Sequence, residues 1–235
     1  MGLNAFSTRG SREFNKLAEI NKAIMNNNVG TNRGSDDRGL FAEFTAYFRG
    51  VSCVYRVYTD GYVIYRKLLG DSDFRELNVT TCKNNTYPEV RIDSTPIKLY
   101  NLVHACFEPN FCDWFERGAR KVVNHTVSTD SRYDYSCGLV PHASVWADLD
   151  YTEVVTISEN NRHGKFVSKY QLANVYVSAF DIDDLLNEFK QYAQSIGVAD
   201  ILDVPADLRC NIVVNYYNAK CLLNCDGKPK RVDFR

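Results

Sequence analysis

No apolar run in this chain approaches the roughly 18 residues that a membrane-spanning helix needs, so a bilayer role is not expected. Met1 to Arg12 also lacks the apolar core of a secretory signal, which leads to the expectation of a cytoplasmic protein. Excess charge is missing too. With 28 Lys and Arg against 29 Asp and Glu, the formal net charge is −1, so any contact with a polyanion must come from local patches. The 8 cysteines contain no Cys-x-x-Cys pair, which argues against a structural zinc and for reduced, buried thiols. Histidine is scarce at 4 residues, so the setting of each one matters.

What is present is enough for a packed interior. An apolar fraction of 45% over 235 residues supports one large domain or two small ones. The expected class is α+β, divided into an N-terminal helix and linker (1–40), a small antiparallel β module (41–97), a central domain (98–170) with an insertion at about 126–149, and a C-terminal α/β appendage (171–235).

Phe14, Leu17, Ile20 and Ile24 recur at three- and four-residue steps, so Ser11 to Met25 reads as an amphipathic helix. Asn26 to Arg38 is nearly devoid of apolar residues and reads as a linker or loop. Val51 to Tyr58, Tyr62 to Leu69 and Pro88 to Ile92 read as strands, with Asp60-Gly61 as a hairpin turn. Ile97 to Asn110 reads as a strand end running into a helix that Pro109 stops, with His104 as a core residue. Farther on, Leu172 to Phe180 and Cys210 to Tyr217 read as strands, Asp183 to Ile196 as an amphipathic helix, and Lys228 to Arg231 as a basic tail.

The chemistry concentrates between Lys121 and Lys165. Lys121-Val122-Val123-Asn124-His125 reads as a short strand that delivers a histidine at its end. Glu153-Val154-Val155-Thr156 reads as a second strand, and Thr156-Ile157-Ser158-Glu159 has the spacing of a helix-capping box. Asn160 then falls in a first helical turn, where unpaired amide donors favour a phosphate. An imidazole suits removal of a proton from water near neutral pH, and a divalent cation suits the charge on a phosphodiester. Ahead of this stretch, Trp114, Phe115, Arg117, Arg120 and Lys121 mix aromatic surface with positive charge. They read either as a phosphate-contacting shoulder or as an ordinary amphipathic segment.

In Val123-Asn124-His125 and Glu153-x-Val155-Thr156-x-x-Glu159-Asn160-x-x-His163 the chain resembles the HNH homing endonucleases of phages and mobile introns. Tyr55 to Val63, Arg75 to Leu77 and Asn85 to Val90 are similar to the small module that often precedes the site in that family. The frame Leu102-Val103-x-x-x-Phe107-x-Pro109-Asn110 follows in the same order. The resemblance implies a strand-strand-helix site that cuts double-stranded DNA with Mg²⁺ or another divalent ion. His125 would be the general base, Asn124 and Asn160 the metal-side ligands, and His163 would lie near the phosphate. Arg117, Arg120, Lys121, Arg162 and Lys165 would contact DNA. The family's middle Asn falls on Tyr151, and Asp150 or Asp148 is the proposed substitute for orienting His125. The insertion, which holds His142, Tyr133, Tyr135 and Trp146, is a candidate lid or protein-contacting surface. Two other readings follow from the same residues: a non-cleaving DNA-binding descendant, and a protein-binding inhibitor without a nucleic-acid role.

Overall fold

The structure is a computed structural model that describes residues 8–26, 33–67, 71–77, 80–82, 85–115, 121–127, 147–172 and 175–220. Their contacts gather them into two units. One holds the described residues up to 115 together with 147–149, and the other holds 121–127 and 150–220. Among the described residues the fold is α+β, with five helices and small antiparallel sheets.

The first unit opens with α1 (Thr8–Asn26), whose Leu17, Ile20 and Ile24 are buried as their spacing predicts. Asn21 is also buried, and its Nδ2 donates to the carbonyls of Ala105 and Glu108, each at 2.9 Å. That amide satisfies orphan carbonyls at the end of α2 (Leu99–Phe107). A five-stranded meander follows in the order β1 (Arg33–Asp36), β2 (Gly39–Phe48), β3 (Val51–Tyr58), β4 (Val63–Lys67) and β5 (Arg75–Glu76). The described part of the expected linker is therefore an edge strand. Arg33–Asp36 pairs with β2 through its backbone, which needs no apolar side chains.

Alternation along β2 and β3 puts Ala42, Phe44, Ala46, Cys53, Tyr55 and Val57 on the buried face. The β2–β3 hairpin closes through Arg49 and Gly50, both at positive φ, in the turn class that matches strand twist. A second sheet, β6 (Thr80–Cys82), β7 (Asn85–Ile92) and β8 (Thr95–Lys98), feeds directly into α2. His104 is buried on α2, 5.5 Å from the ring of Trp114, in keeping with a core residue. The cysteines Cys53, Cys106, Cys112 and Cys210 are free thiols. No helix among the described residues is long and apolar enough to cross a membrane.

Tyr55 carries a prediction for this unit. Its side chain is fully buried, stacked on Phe44 at 5.3 Å, and its hydroxyl has no hydrogen-bond partner among the described residues. Burial pushes the phenol up to about 12. Removing an unpaired buried hydroxyl without changing the ring relieves a desolvation cost, so Tyr55→Phe is expected to stabilise the protein by about 1 kcal/mol. A urea midpoint lower than that of the wild type would contradict this.

The second unit contains β9 (Lys121–His125), β10 (Thr152–Thr156) and α3 (Ile157–Tyr170), followed by α4 (Ile182–Ser195) and α5 (Ala206–Ala219). Here the expected α/β appendage is corrected. Its described residues are helical, with short 3-10 turns at Ala179–Asp181 and Ile201–Asp203 and no strand. Cys210 to Tyr217 lies within α5 because Arg209, Val213, Tyr216 and Tyr217 bury one face at helical spacing. That packing overrides the β propensity of Ile212, Val213 and Val214. The described residues of 172–180 form no strand either, though Val177 N–H donates to the carbonyl of Thr126 at 2.8 Å. The core joins Phe166 and Tyr170 of α3, Leu185 and Phe189 of α4, and Val213 and Tyr217 of α5.

Candidate functional site

β9 and β10 pair antiparallel with His125 opposite Thr152, Asn124 opposite Glu153 and Lys121 opposite Thr156. The β-branched residues Val122, Val123, Val154 and Val155 favour this pairing, and Val155 is buried. Thr126 fixes the join where the insertion leaves and returns. Its N–H and its Oγ1 both donate to the carbonyl of Tyr151, at 3.0 and 2.9 Å. The 3-10 turn Leu149–Tyr151 carries Asp150 to the start of β10, two residues before the cross-strand partner of His125.

Thr156 ends the strand and caps α3. Its Oγ1 accepts from Glu159 N–H at 3.2 Å, while Glu159 Oε2 accepts from Thr156 N–H at 2.7 Å, so the capping box is complete. These bonds from Thr156 hold the Glu159 carboxyl below the usual range. Asn160 follows in the first turn of α3 and is half-buried.

At the centre stands a residue whose importance single-sequence reasoning does not show. Glu153 Oε1 accepts from Asn124 Nδ2 and from Ala179 N–H, each at 2.7 Å, and its Oε2 accepts from Ser178 Oγ at 2.7 Å. Ser178 N–H in turn donates to the hydroxyl of the buried Tyr217 at 2.9 Å. One carboxylate therefore joins β9, β10 and the segment leading into α4. A half-buried carboxylate needs such donors, and an acid just before two strand valines was the available signal.

The candidate residues take different settings. His125 is half-buried at the end of β9, and Asn124 is buried. His163 is buried with Nε2 2.8 Å from the carbonyl oxygen of Val177, which gives the ring a packing role between α3 and the following segment. Lys121 and Lys165 are exposed. Arg162 is exposed as well, but its guanidinium grips the carboxylate of Asp183 through both Nη1 and Nη2. Arg117, Arg120 and His142 lie outside the described residues.

Desolvation pushes the His163 pKa below the ordinary imidazole value, against the opposing pull of the Val177 carbonyl and the Glu153 charge. An unfolded histidine titrates near ~6.5. As pH falls through that value the unfolded chain takes up the proton first, so this group costs stability on acidification. The thermal midpoint is expected to drop less between pH 7.5 and 5 in His163→Gln, whose amide keeps a donor for Val177, than in the wild type. Equal acid losses in the two proteins would remove His163 as the cause.

Among the described residues no three His, Cys, Asp or Glu side chains gather into a metal-ligand cluster. The amides of Asn124 on β9 and of Asn160 in the first turn of α3 are oxygen donors of the hard-ligand type, which suits Mg²⁺ in kind. No family model, curated protein or solved structure matches the chain.

Proposed function

We propose that the protein is a metal-dependent DNA endonuclease of the HNH type that hydrolyses phosphodiester bonds and, by the same resemblance, that a phage genome encodes it. The observation that carries the reading is the register of β9 on β10, with His125 beside the turn that holds Asp150 and with β10 running straight into a capped helix bearing Asn160. This strand-strand-helix order is what the sequence resemblance implies.

In this reading His125 takes the proton from the attacking water, and Asp150 orients its imidazole in place of the missing Asn. Asn124 and Asn160 would offer amide oxygens to a divalent ion, Mg²⁺ or another. Such an ion, when bound, offsets charge on the phosphate and on the departing 3′ oxygen. Because both amides are neutral, phosphate oxygens and water would complete the coordination, which makes metal affinity depend on DNA. Lys121 and Lys165 meet the phosphate backbone, together with Arg117 and Arg120. Arg162 joins them by exchanging Asp183 for a phosphate. His163 supports the fold of the site and does not touch the phosphate.

A second reading, a DNA binder that no longer cuts, is favoured by Tyr151 in the place of the middle Asn. Incubation of the purified protein with supercoiled plasmid in Mg²⁺, Mn²⁺ or EDTA separates the two. Metal-dependent nicking supports the endonuclease; a gel shift without nicking supports the binder. Neither result would leave a protein-binding role, with the insertion at 126–149 as the candidate surface.

A further inference from the structure

We propose that Glu153 is the positioning residue that decides which end of the Asn124 carboxamide faces the reacting phosphate and its metal ion. The inference rests on the nuclease reading and adds a residue to it.

A carboxamide has a donor end and an acceptor end of nearly equal size, so rotation by half a turn exchanges them at little steric cost. A carboxylate only accepts. With Glu153 Oε1 2.7 Å from Asn124 Nδ2, the amide must turn its nitrogen toward Glu153, because the flipped rotamer would set oxygen against oxygen. The Oδ1 atom then points the other way, as the acceptor that a cation requires. Glu153 cannot swing aside to release this choice, since Ala179 N–H holds Oε1 and Ser178 Oγ holds Oε2. Cross-strand pairing of Asn124 with Glu153 fixes the two backbones as well.

This role differs from that of a ligand or a base, and substitution distinguishes them. Glutamine at 153 keeps an oxygen to accept from Asn124 and Ala179, and its NH₂ can donate to the Ser178 hydroxyl. It therefore preserves the orientation while removing the charge. Methionine fills similar space and removes both acceptors.

The test is a Mg²⁺ titration of plasmid nicking by the full chain, alongside Mn²⁺ broadening of the Asn124 side-chain amide signal in the NMR spectrum with DNA present. Glu153→Gln is expected to stay within about threefold of the wild-type half-saturating Mg²⁺. Glu153→Met is expected to raise it at least tenfold, with kcat at saturating metal largely kept, and to weaken the Mn²⁺ effect at Asn124. A split of that kind between half-saturating metal and kcat, in a variant that stays folded, is not what a purely structural residue produces. Loss in the glutamine variant by a hundredfold or more would overturn the proposal in favour of a carboxylate acting directly, and this outcome can be read even if the methionine variant does not fold. Wild-type behaviour in a folded Glu153→Met would overturn it too. Should the wild type neither nick DNA nor respond to Mn²⁺ at Asn124, the nuclease reading itself fails and takes this proposal with it.

Discussion

Alanine at position 125 is expected to lower metal-dependent nicking by about 10²–10⁴-fold, the usual worth of a positioned general base. His125 is only half-buried and ends a strand whose pairing is carried by the backbone, so the loss should appear without a matching change in thermal midpoint. Added imidazole should restore part of the rate, because a small base can enter the space the side chain leaves. Gel-shift affinity should stay near that of the wild type, since the phosphate contacts proposed above fall to Lys121, Lys165 and their neighbours and not to His125. Nicking at the wild-type rate by His125→Ala would remove this residue as the base.

Arg209→Leu is expected to cost about 2–4 kcal/mol of stability, a larger effect than any surface charge in the molecule should show. The guanidinium is buried in the second unit, and all its acceptors are neutral. Nε donates to the carbonyl of Tyr170 at 3.0 Å, Nη1 to those of Leu202 and Val204 at 3.2 and 2.7 Å, and Nη2 to Gln171 Oε1 at 3.3 Å. Three of these acceptors are main-chain groups at the end of α3 and in the turn before α5, where a cation also meets the negative end of a helix dipole. Leucine would leave those carbonyls buried without a donor. Lysine would recover only part of the loss, because one ammonium cannot span the same set. Arg162→Ala, which breaks the exposed pair with Asp183, should leave the urea midpoint nearly unchanged. Urea denaturation of the three variants checks the order, and a loss below about 1 kcal/mol for Arg209→Leu would refute the assignment.

The two arginines illustrate how far the sequence could be read. Each is the one arginine of its helix, and nothing local separates them. Arg162 matched an expected DNA contact, yet in the fold it meets Asp183, 21 residues away. Arg209 has no motif around it, although its spacing with Val213, Tyr216 and Tyr217 describes a helix face. The strand assigned to Cys210 to Tyr217 followed β-branched and aromatic content, where the three- and four-residue period was the better guide. The edge strand Arg33–Asp36 shows the reverse problem. Pairing through backbone alone leaves no apolar pattern to find.

Local signals did determine several elements. The apolar steps of α1, the alternation of β3, the Asp60-Gly61 turn, the strand Lys121–His125 and the Thr156 capping box are all set by residues within a few positions of one another. Their physics is short-range: side-chain period, turn geometry and the orphan donors of a helix start. Tertiary structure alone decided the partners separated by long stretches of chain. Glu153 takes its donors from Asn124, Ser178 and Ala179, up to 29 residues away, and His163 finds the Val177 carbonyl only because the chain turns back after α3. A carboxylate or an imidazole is the same symbol in any sequence. Whether it becomes a base, a ligand or a buried brace depends on which donors and acceptors the fold brings within about 3 Å, the distance at which a hydrogen bond forms.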